Sequence, residues 1–436
     1  MFTLVKGRAG KTGAQRQIAT LSDMGKGSAN PTADAPPVTL WLTPEQGVLG
    51  SAVLPALALL NPEKSKHPLR VGSSTPGVAA DLSAKLGGQS VGDDLRAALA
   101  SAEPGIFLIG APGPFASLPD AAQRLADCEL LESCAQRGVT VVSLEPMPAS
   151  LIHLVELHAE ETSEPQTPVV ALGPSTVAAP AEKRAARIPL WCGCVPLLRF
   201  CEPVAAATDL LEQFGPVRGA NVVSCGPSWG GSLGARLFDA LDVLTMFMGE
   251  PDSVHASHVF PPITSPNGGG GAAVLRPLPG DSLRDLQGDL SAMLRFPGAR
   301  SASIFASSNA PDYSVRVTLL GPGGRLTIGT HGLEWINAQG VPVDRSAQIV
   351  RSAPKPARTR SRSTKADASS PASEPSALAL LIADQMSRMS DPNADLLKGA
   401  RSSNASAVLA TAQAALLSCR TGEGESPATM QRMAGG

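Results

Sequence analysis

Between Val38 and Leu144, short apolar runs alternate with stretches whose apolar residues recur at helical spacing. No other feature of the chain constrains its fold as strongly. Val38–Leu42, Leu69–Val71, Gly105–Ile109 and Val139–Leu144 read as strands. Gly47–Leu60, Gly77–Leu86, Asp93–Ser101 and Asp120–Arg137 read as helices. Strand, helix and strand in succession close a parallel pair through a right-handed crossover. The run therefore predicts an α/β domain built on a doubly wound parallel sheet. Beyond residue 190 the pattern changes. Alternating segments within Ser291–Ile304 and Ser314–Ile328, broken by Pro and Gly turns, predict an α+β domain on a large, mainly antiparallel open sheet. Ala377–Met389 and Ser403–Leu417 predict two closing helices.

A chain of 436 residues is long enough for two domains and tails. The expected division is a disordered arm at 1–36, a nucleotide-binding-type domain at 37–158, a Pro/Ala/Thr/Glu-rich loop insertion at 159–187 and the α+β domain at 188–350. A disordered basic linker at 351–376 and helices at 377–425 follow. Within the linker, Arg351–Lys365 carries six Lys or Arg and no acid. A net charge of −2 gives no overall bias toward nucleic acid or an anionic membrane. The longest apolar run, Gly50–Leu60, is interrupted by Pro55 and is too short to span a bilayer. Residues 1–22 contain basic residues and no acid, as transit peptides do, but the arm reads more simply as disordered. Seven cysteines, an odd number, fit a reducing compartment, so a soluble cytoplasmic protein is expected. Cys192, Cys194 and Cys201 form the densest group and read as buried thiols, with no metal expected. Gly10-Lys11-Thr12 imitates a phosphate loop, but Val5 stands where that loop needs glycine and no strand precedes it.

Function concentrates in Gly230–Val254, GGSLGARLFDALDVLTMFMGEPDSV. A glycine pair opens a helix, and Gly249-Glu-Pro closes it before the strand-like SVHASHV. This resembles the signature helix of the glucose-fructose oxidoreductase/inositol dehydrogenase family (Gfo/Idh/MocA), G-G-x-x-x-D-x-G-x-H-x-x-D followed by G-x-P. Leu198-Arg-Phe-Cys-Glu-Pro203, Leu211–Val217, Leu286–Phe296, Val317–Ile328 and Ala405–Gly422 resemble further segments of that family in the same order. The resemblance implies a Rossmann-like first domain, NAD or NADP as cofactor, and a sugar, cyclitol or related polyol as substrate. It also implies a homo-oligomer formed through the open sheet.

The residues at the implied site have changed. With Asp242 on the last Asp of the pattern, Ala235 replaces its first Asp and Asp239 its catalytic His. Leu144-Glu145-Pro146 stands where the family has Glu-Lys-Pro, so Glu145 replaces the lysine that touches nicotinamide and substrate. The glycine-rich turn becomes Glu45-Gln-Gly47-Val-Leu-Gly50, placing a carboxylate where backbone should approach a pyrophosphate. Ser73 follows the second strand in place of a ribose-binding acid, and Ala111-Pro112 matches the turn after the fourth. The resemblance thus assigns Gly47, Gly50, Ser73, Ala111, Pro112 and Pro146 to the cofactor, and Glu145, Asp239 and Asp242 to catalysis.

Two readings follow. In one, carboxylates with raised pKa values act as the base, sharing a proton or, with Asp242, a cation. In the other, the chain is a catalytically inactive binding or assembly subunit. On that reading Leu233, Leu237, Ala240, Leu241, Leu244 and Met248 face the core. Asp239 and Asp242 then lie on the opposite side, Arg236 pairs with Asp239, and Glu145 is a solvated strand-end acid. His255 and His258 fall on opposite faces of a strand and cannot share a metal, and His331 reads as a loop residue.

Overall fold

The computed structural model describes residues 37–60, 68–116, 121–147, 149–151, 194–260, 278–284, 286–329, 332–344, 376–389 and 404–435. The arm at 1–36, the insertion at 159–187, the basic run Arg351–Lys365, Cys192 and His331 lie outside them.

The first sheet is built from β1 (Val38–Trp41), β2 (Leu69–Gly72), β3 (Gln89–Gly92), β4 (Gly105–Ile109) and β5 (Val139–Ser143). Helices α1 (Gly47–Leu60), α2 (Val78–Leu86), α3 (Leu95–Ala100) and α4 (Ala121–Gln136) connect them. The strand order is β3-β2-β1-β4-β5 and every pair is parallel. All four residues of β1 are buried, as expected of a central strand with helices on both faces. Asp94 caps α3 by accepting from the amides of Arg96 and Ala97. The strand order reverses between β1 and β4. In folds of this kind that point opens a crevice outside the strand carboxyl ends, where ligands bind.

The second sheet has eight strands in the order β13-β12-β11-β10-β6-β9-β8-β7. They are β6 (Gly219–Pro227), β7 (Ser253–Val259), β8 (Asp289–Phe296), β9 (Arg300–Ser307), β10 (Asn309–Gly321), β11 (Gly324–Gly329), β12 (Gly332–Ile336) and β13 (Pro342–Asp344). Every pairing is antiparallel except β6 with β9. Burial alternates residue by residue along β8, so one face is packed and the other open. The packed face is covered by α5 (Glu202–Phe214), α6 (Leu233–Met248) and α8 (Ala405–Thr421). Helix α7 (Ala377–Met389) crosses back to lie on α1, and α9 (Pro427–Gly435) packs on α8.

Both expected sheet types are present, and α1 and α7 match their expected bounds. The segment Ser291–Ile304 contains a hairpin, with β8 and β9 separated by the turn at 297–299. Several elements have no named counterpart in the sequence reading: helix α5, strands β6, β12 and β13, the mostly exposed edge strand β3 of sequence QSVG, and α9.

Candidate functional site

The residues assigned to the cofactor do gather at the carboxyl ends of β1, β2, β4 and β5, but the local chain already engages them. Gln46 is buried beneath the turn after β1. Its Oε1 accepts from the Thr43 amide at 3.0 Å and its Nε2 donates to the Gly110 carbonyl at 3.0 Å. One side chain thus ties the end of β1 to the end of β4, across the point where the strand order reverses. The approach is so close that a Cβ on Gly110 would collide with Gln46 Oε1. The Gln46 amide donates to Thr43 O at 3.1 Å, and that of Gly47 donates to Pro44 O at 3.2 Å. Gly50 is buried against Leu42 and Leu86, while Glu45 points to solvent. The amides of Thr43, Gln46 and Gly47 are therefore engaged within the turn.

Ser73 is buried, with its Oγ accepting from the Thr75 amide and its own amide donating to Gly92 O. Pro112 O accepts from the Phe115 amide. The carbonyl of Pro146 accepts from Arg284 Nε at 3.0 Å. Arg284 reaches this region from the loop before β8, and its guanidinium also donates to the carbonyls of Phe115 (2.5 Å), Met147 (2.9 Å) and Gly113 (3.4 Å). Gln46 and Arg284 thus hold opposite parts of the crevice. The residues present do not fit a dinucleotide at this turn.

Glu145 is not the solvated acid of the sequence reading. It is buried at the junction of the two sheets, with Oε1 accepting from the Ser232 amide at 2.7 Å and Oε2 lying 2.5 Å from Ser232 Oγ. Ser232 is the N-cap of α6, accepting from the Ala235 amide, and its hydroxyl also lies 3.2 Å from Leu283 O. The pair is satisfied in either protonation state. Ionised, Glu145 accepts a hydrogen bond from the Ser232 hydroxyl. Neutral, it donates to Ser232 Oγ, and the serine donates to Leu283 O. Burial pushes the Glu145 carboxyl up to about 7, with the Ser232 bonds, Arg236 and Arg284 opposing the rise.

The amphipathic reading of α6 is also corrected. Asp239 and Asp242 are 2% and 0% exposed, because α6 is enclosed by the second sheet, α8 and the segment at 194–201. Asp239 Oδ1 accepts from the Leu198 amide at 2.7 Å. Arg199 grips Asp242 through two bonds, Nε to Oδ2 at 2.6 Å and Nη2 to Oδ1 at 2.8 Å. Gln385 of α7 completes the clamp, accepting from the Leu197 amide and donating to Leu197 O. Burial and the neighbouring Asp242 push Asp239 up to about 8, against the Leu198 bond, Arg236 and Arg199. Burial likewise raises the Cys201 thiol to about 12.

Arg236 does not pair with Asp239. It donates to Gly230 O at 2.8 Å and stacks on Tyr313, with its guanidinium carbon 4.8 Å from the ring centroid. These hydrogen bonds give the three acids separate partners, so the shared-cation arrangement is not formed. Among the described residues, no group of three or more ligating side chains is placed to hold a metal ion. Among the described residues, Cys194 and Cys201 are buried and in no disulfide. Ser232, Gln46, Arg284 and Tyr313 escaped the sequence reading. Tyr313 is the only tyrosine of the chain, and that was the one signal available for any of them.

No protein-family model and no curated protein matches the chain. Among solved structures it is similar to apo scyllo-inositol dehydrogenase from Lactobacillus casei, with a TM-score of 0.51 and 14% identity over 90% of this chain and 98% of that one. It is also similar to levoglucosan dehydrogenase in complex with NADH and L-sorbose, with a TM-score of 0.51 and 12% identity over the same shares. A third is scyllo-inositol dehydrogenase from Lactobacillus casei with bound NAD(H) and scyllo-inositol, with a TM-score of 0.50 and 15% identity over 91% of this chain and all of that one. At these identities the likeness is one of fold. A Rossmann-like five-stranded parallel sheet joined to a mostly antiparallel eight-stranded sheet is the two-domain fold of the Gfo/Idh/MocA oxidoreductases.

Proposed function

We propose that this chain keeps the dehydrogenase fold without its hydride chemistry and serves as a binding or assembly subunit. The observation that carries this reading is Gln46, whose buried side chain bridges the ends of β1 and β4 where a pyrophosphate would approach the backbone, and takes up the Thr43 amide. Glu145 supports it, because both carboxylate oxygens are committed to capping α6. The rival reading, NAD(P)-dependent oxidation of a sugar or polyol, is favoured by the similarity to structures holding NADH or NAD(H).

Ligands that bind only the native state stabilise it by mass action, by about 2.7 kcal/mol at a hundredfold excess over Kd, and so raise its melting temperature. NAD⁺, NADH, NADP⁺ and NADPH are expected to produce no saturable rise. A saturable rise with any of them that Gln46→Trp abolishes would sink the proposal and restore the oxidoreductase reading.

The open face of the second sheet fits the assembly role. Met293, Phe305 and Leu320 are exposed on it, alongside Asn221, Ser291, Arg295, Arg316 and Arg325. Exposed apolar residues with a polar rim suit burial against an identical face. Light scattering is expected to report a multiple of the 44.6 kDa chain mass, and a smaller species for Phe305→Asp. A parent that runs as a monomer at micromolar concentration would exclude this interface.

A further inference from the structure

Three side chains beneath α6 carry buried polar atoms with no hydrogen-bond partner among the described residues: Arg236 Nε, Asp239 Oδ2 and Tyr313 Oη. They occupy one neighbourhood. Arg236 and Asp239 are one turn apart on α6, the Arg236 guanidinium lies over the Tyr313 ring, and the Tyr313 hydroxyl feels the charges of both. Each residue is at least nine-tenths buried. Arg236 also crowds Gly226 of β6, where a Cβ would stand 2.7 Å from Nη2, so the strand has glycine where the guanidinium passes. Buried polar atoms are nearly always satisfied, because an orphan loses its hydration without replacement. Three in one place leave hydrogen-bonding capacity that the described residues do not fill.

The chemistry of the three atoms defines that ligand. Among the described residues, Arg236 is a buried cation whose only hydrogen bond is to a neutral carbonyl, and no carboxylate forms a salt bridge with it. The Nε–H and the Tyr313 hydroxyl are donors. We infer that Arg236, Tyr313 and Asp239 form a binding site for a small monocarboxylate anion of two or three carbons. Its oxygens accept from Nε–H and Oη–H, and its charge compensates the guanidinium. Burial keeps Asp239 protonated into the neutral range, which makes its Oδ2 a third donor rather than a repelling charge. The other ionisable groups around Asp239 are Asp242 and Arg236 on α6, Arg199 and Cys201 on the segment at 194–201, and Tyr313 on β10. Arg199 and Asp242 neutralise one another. A dianion such as phosphate brings a second charge that the site does not match. This inference does not depend on whether a dinucleotide binds, because none of its atoms belongs to the turn after β1.

The test is calorimetric titration of the full chain with acetate and glycolate, with chloride and inorganic phosphate as controls at constant ionic strength. Saturable binding of a carboxylate is expected near neutral pH. Tyr313→Phe, which removes one oxygen, should weaken it by about tenfold, the equivalent of one charge-assisted hydrogen bond. Affinity should fall by about tenfold per pH unit once Asp239 ionises, and Asp239→Asn should remove that dependence while still binding. The inference is overturned if neither carboxylate binds, if phosphate binds more tightly, or if folded Tyr313→Phe binds as the parent does. The nucleotide titrations above fail or succeed separately, since they read a different part of the fold.

Discussion

Replacing Glu145 with lysine, which restores the residue type of the dehydrogenase motif, is expected to lower the melting temperature by roughly 10 °C and to create no turnover. The present carboxylate accepts two hydrogen bonds at the N-terminus of α6, where the helix dipole favours negative charge. An ammonium at that point loses both bonds, faces the positive end of the helix, and adds a third cation to Arg236 and Arg284. Leaving an uncompensated charge buried in this way costs about 3–5 kcal/mol. Glu145→Gln, which keeps an acceptor for the Ser232 amide, should lose less than half as much. Thermal melts of the three proteins decide the matter. A lysine variant as stable as the parent and able to reduce NAD(P)⁺ with a polyol would show that Glu145 holds a catalytic position after all.

Stability should fall as pH rises from about 5 to about 8, the reverse of the usual behaviour of paired carboxylates. Glu145 rises from 4.5 to about 7 on folding, and Asp239 from 3.8 to about 8. Between those limits the folded chain holds protons that the unfolded chain has released. Raising the pH then favours unfolding, and the contribution is complete below the unfolded values and lost above the folded ones. Each contributes on the order of a few kcal/mol, at about 1.4 kcal/mol per pKa unit. Burial lowers His258, which acts in the opposite sense near its ordinary value. Melting temperatures across this range should slope downward in the parent and flatten in Glu145→Gln/Asp239→Asn. A parent whose stability is constant or rises through the window contradicts the raised values.

What the sequence revealed and what it hid follow from the range of the interactions. Helix α1 and helix α7 were legible because their apolar residues recur locally. Strand β3 was hidden because an exposed edge strand needs no apolar alternation, and QSVG has none. Helix α6 was legible as a helix, but its acids were not legible as buried. Their partners, Leu198 and Arg199, lie some forty residues away, and α8 is more distant still. The motif positions of Glu145 and Asp239 could be read from spacing. Their occupation by Ser232 and Leu198 could not, because nothing local records which groups meet across a domain junction.

Strand β6 has a kinetic consequence. In the sheet it lies between β9 and β10, which the chain itself joins through Ser308. Its partners are remote in sequence, as in the Asn221–Ser303 bond across 82 positions. Seating β6 between two strands already tethered to one another therefore carries a loop-closure cost that the β8–β9 and β10–β11 hairpins do not. A defect in β6 leaves β9 and β10 each without a partner on that side, exposing two unpaired edges at once.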